Sequence, residues 1–263
     1  MKANRQNAME QYILQNGKAD MQTLQEQFQI SVNTLRRDLA VLQERGTVRK
    51  VYGGVEAAVV HNLTPMLERY HLRREAKERI GRLAAQFIPD NSTIYIDTGS
   101  TTRCVVPNLA EKKRLTLITN SLSALQSASM LPGANIITLG GVYNQSLDTF
   151  VDVSTLEKVS KLAAHVAVMA ATGVSILHGL SNTTYFEAEI KQVVSAKCKR
   201  ILLMADHTKF GYDAPISYCP LERVDMVITD QRPPEEYMRY FDRHGIRAVY
   251  DEETARSIKE GEA

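Results

Sequence analysis

The 263-residue sequence predicts an α/β protein with a small N-terminal domain and a larger C-terminal domain. Three observations support this prediction. In about the first 55 residues, apolar side chains recur at helical spacing. From about residue 80 onward, short β-rich runs alternate with segments of helical composition. Several runs, such as VAVMAA from Val166, are continuously apolar, as in strands covered on both faces. Such alternation produces a Rossmann-like, mostly parallel sheet.

The composition is that of an ordinary globular protein. Apolar residues make up 44% and charged residues 24%, and 32 basic against 30 acidic residues leave a net charge of +2, which excludes a polycation. The three cysteines are an odd number without CxxC spacing, so they predict neither disulfides nor a zinc site. The most apolar stretch, 163–174, is far shorter than the roughly 20 residues that span a bilayer, and the N-terminus lacks a signal-peptide core. We therefore expect a cytoplasmic protein without metal, cofactor or membrane contact.

The N-terminal domain is predicted from three short helical blocks and a hairpin. The third block carries Val32, Leu35, Leu39 and Leu42 on one side, and Ser31 stands before it as a helix N-cap. The segment TVRKVYGGV follows, in which β-branched and basic residues lead to two glycines. Three helices followed by a basic hairpin are the plan of a winged helix-turn-helix.

The third helix has a polar face suited to DNA. At 100° per residue, Asn33 and Arg37 point away from the leucines, with Thr34 and Arg36 on the flanks. Arginine can bind guanine and asparagine can bind adenine in the major groove, while Arg49 and Lys50 in the hairpin would hold phosphates. Residues 31–50 carry five basic and two acidic residues. A solvated helix face explains the same pattern, and the pattern alone does not distinguish it from a DNA-binding face.

The domain boundaries follow from shifts in composition. Between the two domains, Pro65 interrupts regular structure, and the alternating basic and acidic residues after it are typical of a solvated helix. The last residues are polar, and we expect them to be frayed. The predicted parts are a domain with the DNA-binding pattern (1–56), a linker (57–78), an α/β domain (79–252) and a polar tail (253–263).

Seven β-rich runs are predicted as strands of the C-terminal domain. Small and polar residues follow five of them, as in IDTGSTT after the first. Ligands of open α/β sheets bind at the carboxyl ends of the strands, and hydroxyls with free amides suit a phosphate or a carboxylate. Lys209 would supply a cation, although a surface lysine in a turn is about as common. The seven runs are Thr93–Asp97, Thr116–Asn120, Asn135–Gly140, Val166–Ala171, Ile201–Asp206, Met226–Asp230 and Arg247–Tyr250.

The sequence resembles the DeoR-type family of bacterial transcriptional repressors. The resemblance is carried in residues 30–55 by Ser31, Thr34, the run Arg36-Arg37-Asp38-Leu39 and Gly53-Gly54, with Arg49 or Lys50 at the place of the hairpin arginine. Segments such as IDTGSTT, TLITNS and ILLMADHTKFG resemble the family's effector domain, which is similar in fold to ribose-5-phosphate isomerase.

The resemblance implies a repressor of a carbohydrate-utilisation operon. Its partners would be operator DNA, a phosphorylated sugar or polyol, and a second or further copies of the chain in a homodimer or homotetramer. The DNA-binding residues implied are Ser31, Asn33, Thr34, Arg36, Arg37, Arg49 and Lys50. The effector-binding residues implied are Asp97, Gly99, Ser100, Thr101, Thr102, Asn120, Gly140, Gly141, Thr172, Asp206 and Lys209.

One residue departs from the family pattern, and two others match it without an implied ligand contact. The family usually has an aspartate after the fourth strand, where this sequence has Thr172, which puts the usual sugar-hydroxyl contact in doubt. Glu187 and Lys191 match helix positions of the family, and their spacing favours an ion pair with each other over ligand contact.

An alternative is a sugar-phosphate isomerase with an attached DNA-binding module. Asp97, Asp206 and Glu187 could serve as proton-abstracting acids, and His207 as a base. We expect no catalytic residues, because Thr172 replaces the acid expected on the facing strand and no HExxH, GxSxG or GK[ST] motif is present. An RNA-binding or architectural protein is disfavoured by the absence of tryptophan and the 6% aromatic content.

Overall fold

The computed structural model divides into two units, Met1–Thr64 and Pro65–Ala263. It describes residues 5–6, 8–9, 12–13, 16, 18–44, 48–51, 53–57 and 65–262. The division falls inside the predicted linker, of which residues 66–71 and 74–78 are helical and belong to the second unit.

The first unit combines helices with a three-stranded antiparallel sheet. The described residues up to 16 are helical. They are followed by β1 (Lys18–Asp20), α1 (Met21–Phe28), α2 (Val32–Glu44), β2 (Val48–Val51) and β3 (Gly54–Ala57), with strand order β1-β3-β2. Leu24, Leu35, Leu39 and Leu42 are buried together with Val48 and Val55 of the sheet. Three residues of the apolar stripe predicted for the third helix therefore face the core, whereas the fourth, Val32, is 39% exposed in the first turn. The winged helix-turn-helix arrangement is present.

The second unit is built around a seven-stranded sheet in which every pairing is parallel. All seven predicted runs are strands of it, in the order β15-β14-β12-β9-β4-β5-β6. The strands are β4 (Thr93–Ile96), β5 (Thr116–Thr119), β6 (Asn135–Thr138), β9 (Val166–Met169), β12 (Arg200–Met204), β14 (Met226–Ile228) and β15 (Arg247–Val249).

The remaining elements cover the sheet or extend from it. The helices are α3 (Met66–His71), α4 (Arg74–Ala85), a 3₁₀ helix (Thr102–Leu109), α5 (Leu122–Ala128), α6 (Val153–Ser160), α7 (Tyr185–Lys197), α8 (Glu235–His244) and α9 (Glu252–Glu262). A hairpin of β7 (Val142–Asn144) and β8 (Thr149–Val151) follows β6, and β10 (Gly173–Ser175), β11 (Gly179–Asn182) and β13 (Ile216–Cys219) form a small antiparallel sheet.

Alternate residues of the central strands enter two separate cores. Ile94 and Ile96 of β4 pack with α4, the 3₁₀ helix, α5 and α9, whereas Tyr95 packs on the other face with α6, α7 and α8. The same alternation occurs in β9 and β12, which explains why their sequences are continuously apolar. Successive strands are added on both sides of β4, so the order reverses between β4 and β9, the position where open α/β sheets bind ligands.

The C-terminal residues differ from the prediction. Residues 253–262, expected to fray, are helical in α9. Ala255 is fully buried and Ile258 packs against the same core, so a single apolar stripe is enough to dock this polar helix. Within the described ranges, no helix is both long and apolar enough to cross a membrane.

Candidate functional site

The N-terminus of α2 is fixed by Ser31, as the sequence predicts. Its Oγ accepts a hydrogen bond from the Thr34 amide at 3.3 Å, and the two hydroxyls lie 2.9 Å apart. This satisfies one amide that the first helical turn would otherwise leave unpaired. Ser31 and Thr34 therefore order the start of the helix, and this role does not depend on any contact of theirs with DNA.

Asn33, Arg36 and Arg37 form one exposed face of α2, while Leu35 and Leu39 are buried. Neither arginine forms an ion pair within the described residues, so both guanidinium groups are available to a ligand. Arginine presents five donors in a rigid fork and is suited to base edges and phosphates. The geometry of this exposed face is that of a major-groove recognition helix.

Asp38, the third residue of the Arg-Arg-Asp run, points inward. It is 1% exposed and accepts hydrogen bonds from Arg5 Nε and Gln6 Nε2, each at 2.8 Å. A second Arg5 nitrogen lies 2.8 Å from the same carboxylate. Asp38 thus fixes the helical residues that precede β1, among them Arg5 and Gln6, to the recognition helix. The local sequence pattern could not reveal this role, because the partners lie about 33 residues away.

The wing is the hairpin of β2 and β3. Arg49 is paired in register with Glu56, and Lys50 with Val55; Lys50 is exposed, while the side chain of Arg49 lies outside the described residues. Gly53 sits in the turn at φ 84, a conformation that favours glycine. The wing therefore presents at least one cation beside the recognition helix of the same unit.

Arg37→Ala is expected to cost about 1–3 kcal/mol of binding free energy on the operator and to relax preference at one base pair, because a base-reading arginine is lost. Lys50→Ala should instead weaken operator and random duplex alike and reduce the salt slope by about one unit, since it removes a phosphate contact. Fluorescence anisotropy on both duplexes across a salt series separates the two cases. If Arg37→Ala lowered the affinity for every duplex equally, Arg37 would contact a phosphate and not a base.

In the second unit, the loop after β4 has two kinds of hydroxyl. Thr102 Oγ1 donates to the carbonyls of Asp97 and Gly99, at 2.7 and 3.0 Å, and so holds the loop closed. Ser100 and Thr101 are nearly buried, yet neither their hydroxyls nor their amides have partners within the described chain. Gly99 is required because a Cβ would lie 2.7 Å from Ala170 Cβ. The loop thus presents unpaired donors at the reversal point of the sheet.

Asp97 is an internal ion-pair partner. Its carboxylate pairs with Lys191 and accepts from the amides of Thr98 and Ala170, at 2.8 and 2.9 Å. Lys191 Nζ also donates to the Ala170 carbonyl at 2.8 Å. Since its oxygens are occupied and it is 1% exposed, we propose that Asp97 positions the loop and does not contact an effector.

The structure gives Glu187 and Lys191 different partners, contrary to the predicted pair. Glu187 accepts hydrogen bonds from Thr98, Asn182 and Thr184, while Lys191 reaches Asp97. Thr172 joins the Glu187 network, because its Oγ1 donates to Asn182 Oδ1 at 3.0 Å. Local i, i+4 spacing failed here because residues at strand ends bind both side chains, neutral ones in the case of Glu187 and the Asp97 carboxylate in the case of Lys191.

The other predicted effector residues lie on strands further along the sheet. Asn120 bonds to Tyr95 and Thr149, and Gly140 and Gly141 adopt positive φ values of 65° and 117° before the β7–β8 hairpin. The strands preceding Gly140 and Lys209 are four positions apart in the sheet, roughly 19 Å at the usual strand spacing. A single sugar phosphate does not span that distance, so we propose that the two glycines form the turn only.

Asp206 and Lys209 follow β12 as predicted. Asp206 is 2% exposed, and its Oδ1 accepts from the Thr208 amide at 3.1 Å. Burial alone would raise the pKa of this carboxyl, but Lys209, Thr208 and Arg73 outweigh it and hold the pKa below its usual value. Burial lowers the pKa of the half-buried Lys209, whose ammonium has no hydrogen-bond partner in the described part of the chain. Lys209 is therefore free to bind an anion.

Sequence reasoning did not select two further cations near Asp206, Arg73 and Lys77, or a third, Arg69, which lies near Lys77. Arg73 Nε lies 4.0 Å from Asp206 Oδ1, Lys77 is 5% exposed, and Arg69 and Lys209 are close enough to Lys77 to lower its pKa. Arg69, Arg73 and Lys77 recur every four residues. That spacing would place them on one face of a continuous helix, but the chain turns between His71 and Arg74, and the turn at the junction of α3 and α4 brings them together instead.

The pKa of Lys77 leads to a stability prediction. Burial, assisted by Arg69 and Lys209 and opposed by Asp206, lowers this pKa from 10.5 to about 8. The unfolded chain therefore binds more protons between those values, and stability rises with pH across that range. Between about pH 7 and pH 9.5, the free energy of unfolding of the wild-type protein should increase by on the order of 2 kcal/mol relative to that of Lys77→Met.

Urea unfolding of both proteins at the two pH values measures this gain. Both proteins contain the three cysteines, whose raised pKa values make stability fall as the pH rises. The difference between the two proteins therefore cancels this contribution. A difference between the two proteins that stays constant with pH would show that Lys77 is not desolvated as described.

Both halves of the chain match family models. Residues 5–59 match the DeoR-like helix-turn-helix domain, and residues 72–231 match the DeoR C-terminal sensor domain. The chain is also 37% identical to the HTH-type transcriptional regulator IolR of Bacillus subtilis (strain 168), over 94% of this chain and 98% of that protein. The chain belongs to the DeoR family. A second relative, the glycerol-3-phosphate regulon repressor of Escherichia coli (strain K12), is 29% identical over 92% of this chain and 96% of that protein.

Membership in the DeoR family makes the chain a DNA-binding transcriptional regulator with a sensor domain. The chain matches these two relatives over nearly their whole length, and both are transcriptional regulators, which supports this interpretation over the isomerase alternative. A solved D-ribose-5-phosphate isomerase in complex with phospho-erythronic acid aligns with a TM-score of 0.39 and 19% identity, over 52% of this chain and 54% of that one, too distant to support catalysis. His207, the candidate base of the isomerase alternative, has Nδ1 2.7 Å from Asp230.

Proposed function

We propose that this DeoR-family regulator represses a carbohydrate-utilisation operon and is released from its operator by a phosphorylated sugar or polyol. The observation that carries the proposal is the set of unpaired donors at the carboxyl end of the sheet. Ser100 and Thr101 supply hydroxyls that form no hydrogen bond among the described residues, and Lys209 supplies an ammonium that likewise has no hydrogen-bond partner there. Hydrogen bonds from such donors to an anion are charge-assisted and stronger than those between neutral groups, so an anionic ligand suits this set.

The recognition helix and wing would bind operator half-sites. Reading a repeated half-site requires at least two copies of the chain, so we propose that the working form is a homodimer or homotetramer acting in the cytoplasm. The glycerol-3-phosphate regulon repressor among the relatives supports a phosphorylated effector of small size. The effector would favour a state of the protein with lower operator affinity, and operator DNA would weaken effector binding by the same factor.

The test uses the double variant Ser100→Ala/Lys209→Ala. We expect operator affinity in the absence of ligand to remain within about twofold of wild type, because neither residue belongs to the DNA-binding unit. Release by a sugar monophosphate that stabilises the wild-type protein against heat should be lost. The matched control, Ser129→Ala/Lys161→Ala, removes the same groups at exposed positions and should still respond.

Anisotropy of labelled operator with increasing sugar phosphate measures release. A double variant that is released as readily as the wild type would remove the loop and Lys209 from the effector site. Tighter operator binding in the presence of the sugar phosphate would identify a co-repressor and contradict release.

A further inference from the structure

A long stretch of the second unit, residues 115–147, carries no charge. It contains no Asp, Glu, Lys, Arg or His, although charged residues make up 24% of the chain, and it is the longest stretch of the sequence without Asp, Glu, Lys or Arg. Much of it lies at the surface, since 14 of its residues are exposed and 10 are partly exposed. Depletion of charge marks the core of a protein–protein interface, and standard interfaces use roughly 20–30 residues a side.

The uncharged stretch includes one edge of the seven-stranded sheet. β6 is the last strand on its side, and β5 is its only strand partner among the described residues. Three of the four residues of β6 are exposed, as are all three residues of β7, which follows it. Every residue of the opposite edge strand, β15, is buried or half-buried. The β6 edge is therefore the more open of the two edges.

The backbone of β6 has hydrogen-bonding groups that point away from the sheet. The amides of Asn135 and Leu139 donate to carbonyls of the β5 segment, at 2.9 and 3.2 Å. Because the hydrogen-bonding direction alternates along a strand, the amides and carbonyls of Ile136 and Thr138 point outward. β6 contains no charged residue or proline, and its register with β5 has no bulge. Natural edge strands usually carry one of these protections, and an edge without them is a template for pairing with another strand.

Exposed apolar side chains accompany this edge. Ile137 lies on β6, Val142 and Tyr143 lie on β7, and Met130 lies in the turn that leads to β6. These are four of the ten large apolar side chains that are exposed in the described part of the chain, and Met130 and Val142 are 81% and 73% exposed. Clustered apolar exposure of this kind indicates a surface that binds another protein.

We propose that β6 pairs with β6 of a second copy of this chain, antiparallel and across a two-fold axis, so that the uncharged stretch forms an interface between two copies. This inference rests on the proposed function, which requires at least two copies, and adds to it the surface that joins them. With the axis at Ile137, Ile136 of one copy lies opposite Thr138 of the other. The outward amide of each then donates to the outward carbonyl of the other.

The absence of charge favours a second copy over other occupants. In a two-fold contact the same patch lies on both sides, so a charged group near the axis would meet its own like charge, and this stretch has none. The two Ile137 side chains lie directly opposite each other at the axis, where cross-strand apolar pairs are stabilising. A nucleic acid does not fit here, because the stretch supplies no cation for its phosphates.

The experiment measures the mass of the full chain by sedimentation velocity at micromolar concentration without DNA. Ile137→Lys places like charges opposite each other at the axis and should raise the dissociation constant at least about tenfold, so that a dimer becomes monomeric or a tetramer dimeric. Ile137→Glu should do the same, and an equal mixture of the two variants should recover the wild-type mass, because opposite charges then meet. Leu177→Lys is the matched control, since Leu177 is 82% exposed outside this stretch, and it should keep the wild-type mass.

Thr138→Pro is a second kind of variant, because it removes an outward amide and leaves the hydrogen bonds to β5 in place. It should also reduce the mass, and thermal denaturation confirms that each variant is folded. An unchanged mass in Thr138→Pro, with dissociation of Ile137→Lys, would contradict strand pairing.

The remaining outcomes separate this interface from the proposed function. If the wild type is an assembly and none of the β6 variants changes its mass, the interface is wrong and the proposed function stands. Dissociation of both Ile137 variants without recovery in their mixture would contradict the two-fold arrangement. If the wild type is monomeric with and without operator DNA, both the interface and the proposed oligomer are wrong.

Discussion

Lys191→Met is expected to lower the free energy of unfolding by about 3–5 kcal/mol, because it leaves the Asp97 carboxylate buried without its counter-charge. Asp97 is 1% exposed and Lys191 is 2% exposed, so neither can recover hydration without local opening of the structure. The two amides that also bond to Asp97 compensate its charge only in part. Urea or thermal unfolding measures the loss.

The control is Lys197→Met on the same helix, where the side chain is exposed and the change should stay within about 0.5 kcal/mol. Adding Asp97→Asn to Lys191→Met should recover at least about 1 kcal/mol, because the uncompensated charge is removed. Equal stability of Lys191→Met and Lys197→Met would show that this ion pair does not support the sheet. A double variant less stable than Lys191→Met would contradict the assigned cause.

Asp38→Asn is expected to destabilise the DNA-binding unit by about 2–3 kcal/mol, since hydrogen bonds to a charged group are lost. Arg5 is 31% exposed, so part of its charge is hydrated after the substitution, which keeps the loss below that of a fully buried pair. Hydrogen exchange of peptides that cover α2 reports this local stability directly.

Operator affinity should fall with the stability of α2, while ligand binding to the second unit should be unchanged. Glu26→Gln on α1, which is exposed, is the matched control and should alter neither quantity. Unchanged exchange rates in Asp38→Asn would mean that the first helical segment is fixed to α2 by apolar packing alone.

The fold was largely predictable because its signals are local. Seven apolar runs became the seven strands, and Ser31 capped the recognition helix as its position indicated. A strand or a helix cap depends on residues within a few positions of one another. The C-terminal helix α9 was missed, since one buried alanine and one packed isoleucine give too weak a stripe to be recognised.

The candidate sites were predictable only in part, because their partners are distant in sequence. Lys191 reaches Asp97 across 94 positions, and Arg5 reaches Asp38 across 33. Composition at strand ends indicated where a ligand would bind, but not which polar groups are already satisfied within the protein. Thr102 and Asp97 match the pattern and are occupied, whereas Arg73 and Lys77 lie outside it and face Asp206.

The central claim is that a metabolite bound in the second unit controls how tightly the first unit holds its operator. The most direct measurement is the operator dissociation constant with and without saturating amounts of the sugar monophosphate that best stabilises the protein, together with the dissociation constant of that sugar phosphate with and without operator. The account predicts that operator binding weakens and that both constants change by the same factor. An operator constant that stays the same at saturating sugar phosphate would contradict it.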